Sequence, residues 1–170
     1  MNNLILFYLG SHPDHQGRYL SEIFEQDDIW LEVTHDYIQW LFPTKEFSRV
    51  TPNAPTITKE IENEFLNDEL LRDHLKASLF RLLSFYSLEY SKDKIIKSSN
   101  WNERKNNWFT QDTHNNLRIT RIIKSLNSLG LGNLAQLFYN CLLELQESEK
   151  DYGIGSNTIE YWKQAIGKIN

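Results

Sequence analysis

With 170 residues, 40% of them hydrophobic and 13% aromatic, the chain can bury roughly two-thirds of its unfolded surface in one domain, which excludes wholesale disorder. The single cysteine, Cys141, excludes an internal disulfide and a thiolate zinc site; no apolar run approaches the ~20 residues needed to cross a bilayer, and the expectation is a soluble, cytoplasmic domain over residues 1–170. The net charge of −5 is uneven, with −8 on residues 1–91 and +5 on residues 92–124, so the middle segment either faces an anion or is a solvated loop.

Leu4 to Leu9 is a strand or a buried helical turn, six residues being too few for periodicity to decide. It is too short, and lacks the basic lead, for a signal peptide. Gly10 to Arg18 holds two glycines and Pro13 and reads as a loop. After a short helix over Tyr19–Glu25, Asp27 or Asp28 starts a helix over residues 28–42 that stops at Pro43. Apolar side chains cover more than half of its girth, which predicts burial on several sides and makes it the centre of the fold. Pro43, Pro52 and Pro55 mark an extended crossover. Thr58 caps the next helix, and a longer one from Asn67 or Asp68 carries Leu71, Leu75, Leu79 and Leu82 inward. Residues 87–112 show no period and read as an irregular connection. A helix over Asn115–Leu129 ends at Gly130, Asn133 caps a helix over Leu134–Gln146 antiparallel to it, and Ser156 caps the last. The fold class expected is all-α, a bundle of about six helices around residues 28–42.

Helical spacing on that central segment leaves one polar stripe of Glu32, His35, Asp36 and Gln39. It is either the wet edge of a buried helix or a recognition face. In the second case His35 and Asp36 bond to the Pro13–Arg18 loop or to the helix of Arg118, closing a polar pocket. Arg118 and Arg121 share a helix face where guanidinium groups clamp an anion such as a peptide C-terminus, or else pair with Asp36, Asp14 or Asp112. His12, Asp14, His15, His35 and Asp36 admit a metal-dependent phosphohydrolase, provided His74 or Asp73 supplies further ligands. No nucleophile elbow or phosphate-cradling glycine loop is present, and Cys141 reads as a core residue. Trp101, Trp108 and Phe109 among Lys92, Lys94, Lys97, Arg104 and Lys105 resemble a single-strand stacking platform. The acidic total argues against nucleic acid and favours tryptophans that anchor a loop to the core.

Phe7-Tyr8-Leu9-Gly10, Pro13-Asp14-His15-Gln16-Gly17-Arg18, the block from Thr34 to Pro43, Asn53-Ala54-Pro55 and the run from His114 to Leu126 together resemble the conserved region of the opioid growth factor receptor family, over about residues 6–146. In animals that family is described as binding the enkephalin pentapeptide and restraining growth from a nucleus-associated location. The chain resembles the conserved region alone, and its Asn-, Ile- and Lys-rich composition is similar to that of bacterial members. The resemblance implies a non-enzymatic binding module for a short peptide, a small anionic ligand or a protein partner. Asp14, His15, Arg18, Glu32, His35, Asp36, Gln39, His114, Arg118 and Arg121 are its candidate binding residues, with no catalytic residue, metal or cofactor expected. The alternatives are the metal-dependent hydrolase and an assembly domain acting through residues 92–112.

Overall fold

A computed structural model of the chain describes residues 1–111, 113–149 and 154–167. The helices are α1 (Asn3–Tyr8), α2 (Leu20–Glu25), α3 (Asp28–Val33), α4 (Ile38–Leu41), α5 (Lys59–Asn67), α6 (Glu69–Phe85), α7 (Trp101–Arg104), α8 (His114–Ser128), α9 (Gly132–Ser148) and α10 (Ser156–Gly167). A 3-10 turn follows α7 at Lys105–Asn107, and strands β1 (Leu88–Ser91) and β2 (Lys94–Lys97) lie between α6 and α7. The protein is thus mostly helical, but a two-stranded sheet qualifies the all-α expectation.

Local signals place most boundaries. The Asn2 side chain accepts from Leu4 N at 2.8 Å and settles the N-terminal run as a helix. The side chains of Asp27, Thr58 and Asp68 each accept a backbone N–H of the turn they start, as oxygen-bearing N-cap residues do. Gly130, at φ +91°, ends the α8 turn with Leu131 N on Leu126 O at 2.9 Å. It also lets Leu66 and Arg72 approach to 3.1 and 3.2 Å of where a Cβ would stand. Asn133 and Ser156 do not cap as expected: both lie inside the first turns of α9 and α10.

The core is layered around α6 and α8. Leu71, Leu75, Leu79 and Leu82 of α6 and Ile119, Ile122, Ile123 and Leu126 of α8 are all fully buried. Helix α8 packs against α9 and α10, and α6 carries α1, α5 and β1. Trp162 of α10 donates its indole N–H to Asn116 O at 3.1 Å, pinning the last helix across α8.

The expected central helix over residues 28–42 is corrected. It is two short helices at a bend, because Thr34 is extended at φ −96°, ψ 130°. A continuous helix would offer Leu31 O to His35 N; here that carbonyl accepts instead from the Tyr37 hydroxyl and from Arg118 Nη1, both at 2.9 Å. β-Branched Val33 and Thr34 weaken helix propensity at the same point. Burial is also one-ended. Ile29 and Val33 are 74% and 65% exposed, whereas Tyr37, Ile38, Trp40, Leu41 and Phe42 are buried.

The expected irregular connection over 87–112 is likewise corrected. Ser91 pairs with Lys94 around a two-residue turn whose Lys92 and Asp93 have φ of 49° and 62°, the backbone of a primed hairpin turn. Trp101, Trp108 and Phe109 are buried, so their rings are not presented for stacking on a nucleic acid. The hairpin and α7 are tied to α9 by Glu149, which accepts from Lys97 Nζ and Lys105 Nζ at 2.9 Å and from the Trp101 indole at 2.8 Å.

Those bonds, chiefly the one from Lys97 and then that from Lys105, pull the Glu149 carboxyl down to about 2. A depressed carboxyl stabilises the fold above its unfolded value near 4.5 and loses that contribution as pH falls through 4.5 toward 2. Glu149→Gln is therefore expected to lower stability by about 1–2 kcal/mol at pH 7. The difference from the parent closes as both are acidified. Paired thermal melts from pH 7 to pH 2 check it, and a gap that persists at pH 2 contradicts the assignment.

Candidate functional site

The polar stripe is divided by the bend. Asp36 turns toward the N-terminal loop, where Arg18 Nη1 lies at 3.0 Å, His15 Nε2 at 3.3 Å and Gln16 Nε2 at 3.2 Å. Burial pushes the Asp36 carboxyl up, but the hydrogen bond and charge of Arg18, helped by His15 and Gln16, outweigh it and hold the group below the usual carboxylate range. The loop itself is built on Asp14, whose buried carboxylate accepts from Gln16 N, Arg18 N and Arg18 Nε at 2.9, 3.0 and 2.8 Å. The Trp40 indole can only donate, and it meets His15 Nδ1 at 3.0 Å. His15 therefore carries its proton on Nε2, toward Asp36. Asp14, His15, Arg18 and Asp36 thus form one network that fastens the loop to α4.

Glu32 and His35 turn the other way, onto α8. Glu32 meets His114 Nε2 at 2.8 Å and Asn115 Nδ2 at 3.2 Å. His35 and His114 meet edge to face at 5.3 Å. Burial pushes the His114 imidazole down; Glu32 opposes this, and the charges of Arg118 and His35 add to it. Arg118 is 5% exposed and spends its donors on the carbonyls at the α3 end, Leu31 O at 2.9 Å and Thr34 O at 2.8 Å, while His35 Nδ1 lies 3.4 Å away. Among the described residues its shortest bonds thus go to main-chain carbonyls. Asp14 and Asp36 are held by Arg18, and Asp112 lies outside the described residues.

Arg121 is different. One bond runs from its Nη1 to Phe42 O at 3.2 Å, and burial lowers its pKa without removing its charge. It lines a cleft of about 360 Å³ between α4, α8 and the 44–50 segment, shared with His35, Gln39, His114, Leu117, Arg118 and Lys124. Gln39 is 6% exposed, and its Oε1 is buried without a hydrogen-bond partner. Such a group costs free energy until a donor reaches it. The cleft is therefore bordered by a cation that can take a carboxylate and by a glutamine whose oxygen is buried without a donor among the described residues. Replacing Gln39 by Met, of similar length, is expected to raise stability by about 1 kcal/mol and the melting temperature by about 2–4 °C. A melt that falls instead shows that Gln39 is satisfied within the fold.

Five of the ten candidate residues, His35, Gln39, His114, Arg118 and Arg121, share this cleft; Glu32 backs it through His114, and the other four do not line it. Missed were Thr44, Glu46, Leu117, Thr120 and Lys124. The last three recur with Arg121 at helical spacing along α8, a signal available in the sequence. The metal alternative finds no support: Asp14 is closed by Arg18, and His74 Nδ1 faces the carbonyl of Tyr8. Among the described residues no group of three or more His, Cys, Asp or Glu side chains gathers as a metal site would require.

The profile of the family described as the opioid growth factor receptor (OGFr) conserved region matches residues 2–169, nearly the whole chain. The chain belongs to the opioid growth factor receptor conserved-region family. It is 38% identical over 140 residues to the opioid growth factor receptor of Mus musculus, covering 80% of this chain and 22% of that protein. To the receptor of Homo sapiens it is 30% identical over 140 residues, covering 80% and 20%. To the opioid growth factor receptor-like protein 1 of Xenopus tropicalis it is 36% identical over 170 residues, covering 94% and 30%. The chain thus spans less than a third of these relatives. No solved structure matches it. Within this opioid growth factor receptor conserved region no helix among the described residues is long and apolar enough to cross a membrane.

Proposed function

We propose that this conserved region is a non-enzymatic binding module that takes a short peptide or a small anionic ligand in the cleft between α4 and α8. The observation that carries the reading is Gln39, a buried amide whose acceptor has no partner among the described residues, lining the same cleft as the half-buried cation Arg121. A ligand with a carboxylate and a neighbouring N–H satisfies both. Membership of a family named for reception of an opioid growth factor supports ligand binding as its role. The network of Asp14, His15, Arg18 and Asp36 holds α4 in place and so positions Gln39 rather than touching the ligand. The single Cys141 and the Asn-, Ile- and Lys-rich composition support a cytoplasmic, bacterial setting.

The test is an NMR titration of labelled protein with N-acetyl-Ala-Ala-Ala-Leu and with its C-terminal amide. Saturable shifts are expected at His35, Gln39, His114 and Arg121 for the carboxylate. They are expected to weaken at least tenfold for the amide and for Arg121→Met, as loss of a charge-assisted bond implies. Absence of shifts at millimolar peptide, or equal binding of the amide, sinks the reading.

A further inference from the structure

Helix α3 leaves two large apolar side chains in solvent. Ile29 and Val33 are four residues apart, so they stand one above the other on a single helix face. The acids Asp28 and Glu32, at the same spacing, run alongside them. All four border a cleft of about 310 Å³ whose lining also includes Phe85, at the end of α6, and Trp108, from the segment after α7. This cleft shares no lining residue with the one between α4 and α8. An apolar centre with a charged rim is the make-up of a protein-docking surface, whereas apolar residues exposed singly call for no explanation.

The charge beside this pair has one sign. From Tyr19 to Thr44 the chain has no Lys or Arg and six acids, Glu22, Glu25, Asp27, Asp28, Glu32 and Asp36. Asp28 is matched by Arg81 and Arg104, each at 3.0 Å, Asp36 is held by Arg18, and Glu32 meets His114. Glu22, Glu25 and Asp27 are exposed and pair with no cation among the described residues. Glu22 and Asp27 accept main-chain N–H groups, which leaves their charge in place. The corner between α2 and α3 therefore presents unmatched negative charge directly before the apolar pair. We infer that this corner docks a basic amphipathic helix of another protein. Apolar residues three and four apart on that helix pack across Ile29 and Val33, one of them entering the cleft toward Phe85 and Trp108. Its flanking Lys or Arg side chains face Glu22, Glu25 and Asp27. A helix is the element that fits, because a ridge of side chains four apart interlocks with the matching groove of another helix. Charge then selects the partner, since an acidic helix meets like charge on the same rim.

The probe is acetyl-Lys-Ala-Leu-Lys-Lys-Ala-Leu-Ala-Lys-Leu-Lys-Ala-amide, whose leucines share one helix face and whose C-terminus carries no charge. A control peptide has the same residues reordered so that the leucines are spread around the helix. Each is titrated into the labelled full chain and followed by NMR. Saturable shifts are expected at Ile29, Val33 and the Trp108 indole, with the control at least tenfold weaker. Replacing both Ile29→Ala and Val33→Ala is expected to weaken the probe about tenfold through lost apolar area. Glu25→Lys is expected to weaken it severalfold, an effect that shrinks as salt is raised. All three positions are exposed, so the melting temperatures of the variants are expected to stay close to that of the parent. Equal binding of the control, or a double variant that binds as the parent does, means charge attraction alone and overturns the inference. Self-association of the parent that Ile29→Ala abolishes gives the surface to a second copy of this chain and overturns it too. So does the absence of shifts at millimolar probe. None of these outcomes touches the reading of the cleft between α4 and α8.

Discussion

Arg118→Met is expected to destabilise the protein by about 3–5 kcal/mol, because it removes two charge-assisted hydrogen bonds worth about 1.5–3 kcal/mol each. The bonds in question run to Leu31 O and Thr34 O, buried at the bend between α3 and α4. Tyr37 keeps one bond on the first carbonyl, but Thr34 O has no other donor described. The guanidinium also lies 5.5 Å from the centre of the Tyr37 ring, so the same change loosens the aromatic packing under the bend. Arg118→Lys recovers little, since a single ammonium cannot span the two carbonyls as the planar fork does. For a domain of this size the melting temperature falls by about 10 °C. Amide exchange at residues 34–38 should accelerate before the rest of the domain opens. A loss below about 1 kcal/mol would mean that water replaces the guanidinium at the bend without cost.

Trp108→Ala is expected to cost about 3–5 kcal/mol, the range for truncating a buried tryptophan. Trp108 is 1% exposed, meets Tyr86, Trp101 and Phe109 at ring separations of 4.8, 5.9 and 5.4 Å, and donates its indole N–H to Tyr86 O at 2.9 Å. That carbonyl is at the end of α6, so the side chain joins the segment after the hairpin to that core helix. Trp108→Phe keeps part of the aromatic packing and loses the donor, and is expected to cost less, about 1–3 kcal/mol. Chemical denaturation of both variants separates packing from hydrogen bonding. Should the two cost the same, the indole N–H rather than the ring volume holds the segment.

Much of this was legible along the chain. The amphipathic faces of α6, α8, α9 and α10 repeat with helical period, and their core residues follow from it. Asp27, Thr58, Asp68 and Gly130 mark ends because capping is a matter between neighbours in sequence. The family motifs also lie in short runs, and the profile match over residues 2–169 agrees with the resemblance they carry. The hairpin was not legible, for its turn is Lys92-Asp93 and lacks the glycine that usually signals positive φ at both positions. Its β2 end is tied from outside through Lys97 to Glu149.

The composition and periodicity of the chain determined that it folds as a mostly helical domain, which helix faces are buried, and where most helices begin, since each depends on interactions within a few residues. Local chemistry at Val33 and Thr34 only favours a bend within residues 28–42; tertiary structure fixed it. The carbonyl of Leu31 is taken by a side chain 87 positions away, and no local pattern encodes that competition. The bend in turn sends Asp36 to the N-terminal loop and Glu32 and His35 to α8, and leaves Gln39 at the edge of a cleft with its oxygen buried and without a donor among the described residues. Local periodicity can place polar residues on one helix face; only packing against distant elements determines which of them find partners.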